Sequence, residues 1–214
     1  LTHRTGTVNR IVIPRVVIVR QPPYTDSMPI EQLIVVDERN RAVGVGEKDA
    51  VHRAGLLHRA FSIFLVDDRG RILLQRRSRQ KYHSGGSWAN SCCGHPRPGE
   101  QTLSAARRRL HEELGAEGPL SFGFFSRYQA DLDSGMSENE FVYVFFGPLR
   151  SPLQPDPAEV SEVDFASVDE IRRRIAREPD AFAYWLRHYF QNHHTDIARL
   201  SKLAARTARP ADGA

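Results

Sequence analysis

The sequence predicts a single-domain α/β layered sandwich, and three observations support it. Strand-like runs with polar turns open the chain, one amphipathic helical stretch follows at 102–115, and strand composition then returns before two terminal helices. The length, 214 residues, fits one compact domain. With 40% hydrophobic and 26% charged residues the chain can fill a core, and it lacks the bias of a collagen-like or disordered sequence.

Gln32 to Asp37 and Arg41 to Val45 flank the polar Glu38-Arg39-Asn40 and predict a hairpin. Ala60 to Val66 and Arg71 to Gln75 flank Asp67-Asp68-Arg69-Gly70 and predict a second. From Thr102 onward, Leu103, Ala106, Leu110 and Leu114 recur at helical spacing, and Gly115 can end the run. Ser121 to Ala130, Glu140 to Phe146 and the shorter Val163 to Phe165 read as strands. Val168 to Ala176 and Ala181 to Leu200 read as helices parted by Pro179. No internal repeat is visible.

The domain is expected over residues 28–200. Residues 201–214, rich in Ala and Arg, are expected to be a frayed tail. Leu1 is not a usual start residue and Met28 directly precedes the first strand-like run. Residues 1–27 are therefore expected to be a mobile arm or a translation-start artefact. Arg10, Pro14, Arg15 and Arg20 interrupt the arm's apolar stretch, so no secretion signal is expected. The apolar runs are too short to cross a bilayer, and no membrane association is expected.

The formal net charge of +4 sits at the two ends. Residues 1–27 and 199–214 carry +3 each, which leaves −2 for the body. An acidic body is the opposite of what phosphate neutralisation needs, so no nucleic-acid partner is expected. Cys92 and Cys93 are the only cysteines, and a disulfide between neighbours is strained. A reducing, cytoplasmic setting follows as the default.

The most informative stretch runs from Cys93-Gly94-His95-Pro96-Arg97-Pro98-Gly99-Glu100 into Arg108-Arg109-Leu110-His111-Glu112-Glu113-Leu114-Gly115. A Gly/Pro loop lets backbone approach a ligand, and the helix sets Arg109 and Glu113 one turn apart with Glu112 beside them. Carboxylates on such a face suit Mg²⁺ and phosphate oxygens. Composition alone favours a solvated helix laced with salt bridges.

The stretch resembles the Nudix box, G-x5-E-x7-R-E-U-x-E-E-x-G-U, at Gly94, Glu100, Arg108, Leu110, Glu112, Glu113 and Gly115. It departs at Arg109, where diphosphate-cleaving members carry a metal-binding Glu. Asn90-Ser91-Cys92-Cys93-Gly94-His95-Pro96 further resembles the N-S-x-C-G-H-P signature of type 1 isopentenyl-diphosphate isomerases, members of the Nudix superfamily that isomerise rather than hydrolyse. Lys48, His52, His58, Arg76-Arg77, Lys81, Trp88, Tyr128, Glu138-Asn139-Glu140 and Trp185 follow the family's order, so the likeness spans about Gln32 to Leu200. The two histidines stand six residues apart, against seven in bacterial members. The resemblance implies a Nudix-type α/β/α sandwich with a mixed sheet. A Nudix pyrophosphohydrolase is the alternative on the same fold, and Arg109 and Cys93 argue against it.

The resemblance implies interconversion of isopentenyl and dimethylallyl diphosphate in isoprenoid biosynthesis, by a monomer or homodimer. A proton is added to the terminal methylene and one removed from C2, so acid and base face each other across the substrate. Cys93, whose thiolate can accept a proton, and Glu140 with Tyr128 are the implied catalytic groups. His52, His58, His95, Glu138 and Glu140 are the implied ligands of one Mn²⁺, Zn²⁺ or Mg²⁺. Glu113 is implied to hold a Mg²⁺ that arrives with the diphosphate. Lys48, Arg77 and Lys81 are the candidate diphosphate grips, while Arg76 and Arg79 read equally as a solvated patch. Trp185 is implied to face the carbocation with its ring. Trp88 is read as pocket wall or core, Cys92 as a small buried residue, and His3, His83, His111, His188, His193 and His194 as ordinary surface or core residues.

Overall fold

In a computed structural model, which describes residues 31–208 apart from 82, 133 and 134, the chain forms a mixed sheet with helices on both faces. The expected arm at 1–27 lies outside the described residues. β1 (Gln32–Val36) and β2 (Ala42–Glu47) form the first hairpin, and α1 (Lys48–Arg53) leads to β3 (His58–Val66). β4 (Ile72–Arg77), the short β5 (Trp88–Ala89) and β6 (Cys92–Gly94) come before α2 (Thr102–Leu114). β7 (Ser121–Asp131), β8 (Ser137–Pro148) and β9 (Val160–Ala166) complete the sheet, and α3 (Val168–Arg177), α4 (Tyr184–Asn192) and α5 (His194–Ala208) close the chain.

Period-two alternation builds two cores. Ala60, Phe64, Val142, Val144 and Phe146 point to the face covered by Ile171 of α3, Trp185, Leu186 and Tyr189 of α4 and Ile197 of α5. Phe61, Ile63, Leu65 and Phe145 point the other way, against Ala105, Ala106, Leu110 and Leu114 of α2. The expected α/β/α sandwich is what forms.

The centre of the sheet is β3, which pairs with β8 in parallel from His58 beside Glu140 to Val66 beside Pro148. The second predicted hairpin forms only at its turn. Asp67 Oδ1 accepts from Arg69 N and Arg71 N at 3.1 and 2.7 Å, but the strands pair only at Val66 and Ile72. β6 then pairs with β3 at Phe61 to Ile63, while β4 runs beside β9. A strand that enters between hairpin arms leaves no local signal.

The single terminal helix expected over Ala181 to Leu200 is two helices that meet at His193, whose Nε2 lies 3.1 Å from Ser126 Oγ and whose ring stacks on Phe124. The frayed tail is corrected as far as residue 208. Ile197, Ser201 and Ala204, spaced for one helix face, are buried, and Arg150 Nε donates to Thr207 O at 3.1 Å. Ending the chain at Leu200 is therefore expected to lower the thermal midpoint, by about 2–4 °C for each kcal/mol lost. An unchanged midpoint in calorimetry would restore the tail to a dispensable end.

Candidate active site

Three strands align the first group of site residues. Tyr128 on β7 pairs with Glu140 on β8, and Glu140 pairs with His58 on β3, so their side chains form one row across the sheet. Glu138 precedes Glu140 by two residues and shares its face. His52 arrives from α1, and His95 from the loop that follows β6. That loop is clamped to α2 by a two-pronged Arg108 to Glu100 pair, at 2.9 and 2.8 Å. Gly94 allows the close approach, since a Cβ there would stand 3.0 Å from the Phe61 ring and 3.4 Å from Arg109. Gly115 ends α2 in the left-handed conformation at φ 61°, and so has a structural role in the box.

The ligand atoms of His52, His58 and His95 lie within 4.8 Å of one another, and so do those of His58, Glu138 and Glu140. All five implied donors thus form one group through His58. His52 Nδ1 lies 2.7 Å from Lys48 O and His58 Nδ1 lies 2.9 Å from Leu56 O. A carbonyl only accepts, so both Nδ1 atoms carry the proton, and Nε2 of a neutral ring is an acceptor. Those Nε2 atoms face Glu138 Oε2 at 3.4 Å and Glu140 Oε1 at 3.6 Å. His58 Nε2 and Glu138 Oε2 are buried without a hydrogen-bond partner. Lone pairs turned on one another in a buried site fit a shared cation, and three imidazoles with two carboxylates suit a divalent ion.

His95 Nε2 lies 3.0 Å from Glu140 Oε1, while its Nδ1 faces Glu31. Burial alone would lower its pKa, but the two carboxylates outweigh burial and push it up to about 9. Burial opposes ionisation of Glu140 as well, yet the protonated His95 beside it holds it well below the usual carboxylate range. Tyr128 Oη donates to Glu140 Oε2 at 2.7 Å, and burial next to this carboxylate raises its pKa, so the phenol keeps its proton.

The two cysteines point to opposite faces of β6. Cys92 is fully buried in the α2-side core, whereas Cys93 packs on the face of Trp185 and Tyr189. The Cys93 thiol donates to Asn90 Oδ1 at 3.2 Å, and its Sγ lies 3.4 Å from Ser62 Oγ, which is 2.9 Å from Tyr189 Oη. Burial of the sulfur pushes it up to about 12. Burial therefore favours the thiol form at neutral pH. Trp185 Nε1 donates to the same Asn90 Oδ1 at 3.1 Å, so one buried amide positions both thiol and indole.

Arg77 is buried with its guanidinium 5.2 Å from the centre of the Trp185 ring. Lys81 pairs with Glu159, and burial pulls its ammonium down to about 8. Lys48 Nζ lies 2.7 Å from Glu31. Glu113 stands outside the His/Glu group: it is buried, paired with Arg109, and accepts from Gln75 Nε2 at 3.2 Å. Arg109, where a hydrolase has its extra carboxylate, also binds Glu112 at 2.7 Å and Glu159 at 3.2 Å. The Arg76 and Arg174 guanidinium groups lie 5.9 and 5.4 Å from the centre of the Trp88 ring.

Residues 56–188 match the NUDIX domain family. The chain is 44% identical over 158 residues to the isopentenyl-diphosphate Delta-isomerase of Pectobacterium atrosepticum, covering 74% of this chain and 88% of the relative. It is 47% identical over 156 residues to the enzyme of that name from Streptomyces avermitilis, covering 72% and 78%. The chain belongs to the isopentenyl-diphosphate Delta-isomerase family, within the Nudix superfamily. A Deinococcus radiodurans crystal structure aligns with a TM-score of 0.61 at 22% identity, covering 81% of this chain and 99% of that one. A MutT protein from Methanosarcina mazei aligns at 0.52 with 18% identity, covering 63% and 91%. At such identities these two likenesses speak for the Nudix fold alone.

In this isomerase-family chain two neighbours of the site escaped the sequence. His83 Nε2 lies 3.4 Å from Glu138 Oε1 and its ring is 5.9 Å from that of Trp185. Burial, then the Arg77 cation, pull His83 down to about 3. The sequence reads His83 as an ordinary histidine, and no spacing in the chain signals its place beside Glu138. Glu31 is the other, and sits one residue ahead of a strand with nothing to mark it.

Proposed function

We propose that the protein interconverts isopentenyl and dimethylallyl diphosphate at the Cys93/Glu140 site, with divalent metal. The observation that carries this reading is that a thiol and a carboxylate share one face of the sheet. Cys93 pairs with Ser62 and Glu140 pairs with His58 on β3, four residues apart. The paired positions are therefore about 13 Å apart along the strand, and the side chains can reach toward a five-carbon chain between them.

One group delivers a proton to the terminal methylene and the other takes one from C2. Whichever holds the proton at the start, the other holds it at the end, and the reverse reaction exchanges the roles. Tyr128 Oη donates to Glu140 Oε2 and would hold that oxygen in place during the transfer. His52, His58, His95, Glu138 and Glu140 would hold the tightly bound Mn²⁺, Zn²⁺ or Mg²⁺, whose charge would fix the carboxylates and polarise groups bound to it. Arg77, Lys81 and Lys48 would grip the diphosphate, with Glu113 serving its Mg²⁺. The Trp185 ring would stabilise positive charge on the substrate. A cytoplasmic monomer or homodimer without a nucleic-acid partner is part of the same proposal. Among the described residues no helix is long and apolar enough to cross a membrane.

Purified protein with isopentenyl diphosphate and Mg²⁺ should form dimethylallyl diphosphate without releasing phosphate. Phosphate release without the allylic product would favour a hydrolase instead. No proposed site residue precedes Met28, so a chain that starts there should keep its turnover. A large fall in turnover at an unchanged thermal midpoint would show that residues 1–27 reach the site.

A further inference from the structure

We infer that Glu31 is a positioning residue for the His/Glu site, fixing the outer nitrogen of His95 and, through Lys48, the setting of His52. This rests on the reading of His95 as a metal ligand.

Each of the three imidazoles turns Nε2 toward Glu138 or Glu140 and Nδ1 toward an oxygen on its outer side. For His52 and His58 that oxygen is a backbone carbonyl, of Lys48 at 2.7 Å and of Leu56 at 2.9 Å. For His95 it is a side chain, Glu31 Oε1 at 3.6 Å from Nδ1. The other oxygen of Glu31, Oε2, accepts from Lys48 Nζ at 2.7 Å, and the Glu31 backbone carbonyl accepts from Lys48 N at 2.9 Å. Lys48 is thus held at both ends by one residue, and its own carbonyl carries His52. The His95 and Lys48 partners lower the pKa of Glu31 well below the usual carboxylate range although burial opposes them.

A carboxylate behind an imidazole fixes the tautomer, orients the ring and strengthens it as a ligand, and losing such a partner typically weakens metal binding about 10–100-fold. Glutamate suits this position because both of its partners are donors and it offers an acceptor to each. Glutamine keeps the shape but has only one acceptor, so it must turn an N–H toward either the ammonium or His95 Nδ1. Its side chain is half exposed, so the exchange opens no cavity.

The test is titration of chelator-stripped full-length chains with Mn²⁺, free ion being read by electron paramagnetic resonance, alongside the thermal midpoint of each metal-free chain. Glu31→Gln should bind Mn²⁺ about 10–100-fold more weakly, with the metal-free midpoint unchanged. Glu38→Gln, which removes an exposed pair with Arg127, should bind as the parent does. Wild-type Mn²⁺ affinity in Glu31→Gln, with affinity lost in His95→Ala, would overturn the role of Glu31 and leave the site standing. Wild-type affinity in His95→Ala as well would remove the site itself.

Discussion

Cys93→Ala should cut turnover by about 10²–10⁴-fold, the usual contribution of a positioned acid or base, while the fold survives. The substitution removes the sulfur that donates to Asn90 and approaches Ser62, and Asn90 keeps its bonds to Ile63 O and Cys92 O at 3.0 Å. Cys92→Ala is the matched control. Cys92 is fully buried against α2, so its loss should cost about 1 kcal/mol of stability and little turnover. The pair is to be compared in turnover and thermal midpoint. A dead Cys92→Ala beside a Cys93→Ala that keeps more than about a tenth of the activity, or about 1.4 kcal/mol in the barrier, would mean that the motif has been read one residue out of register.

Removing a metal ligand should be as damaging and should leave a different trace. His95→Ala and Glu138→Ala should each lose the tightly bound ion in metal analysis and lose turnover, and a chelator should silence the parent chain. Truncating Glu138 also removes the carboxylate that His52 Nε2 and His83 Nε2 face at 3.4 Å, so the site loses a donor and the negative charge that would balance a cation. Glu113→Gln should keep the tight ion and raise the Mg²⁺ requirement, because Glu113 lies on the α2 side with Arg109 and Gln75. Unchanged metal content in His95→Ala and Glu138→Ala would count against the site.

The box and the signature were legible as residues at fixed offsets because both lie on one short loop and one helix, where sequence spacing is spatial spacing. The two-residue step from Glu138 to Glu140 was legible for a similar reason, since a strand returns to the same face every second residue. Less was legible where chain ends and short elements were concerned. β5 and β6 are two and three residues long, too short for any period to show. The helix over 201–208 was missed because its buried face is made of Ser201 and Ala204, which carry little hydrophobic signal.

The sequence by itself determined the family, the amphipathic α2, the thiol beside His95 and the loss of a carboxylate at Arg109. Each is a local pattern of residue types. Only the tertiary structure decided that Tyr128, Glu140 and His58 stand in one row, since that requires β3 and β8 to run parallel across an 82-residue separation. It also decided that Arg109 neutralises Glu113, that Cys92 and Cys93 face different cores, and that His83 and Glu31 border the ligand group. Long-range strand pairing brings these side chains together, and no periodicity along the chain encodes which distant strand will be the neighbour.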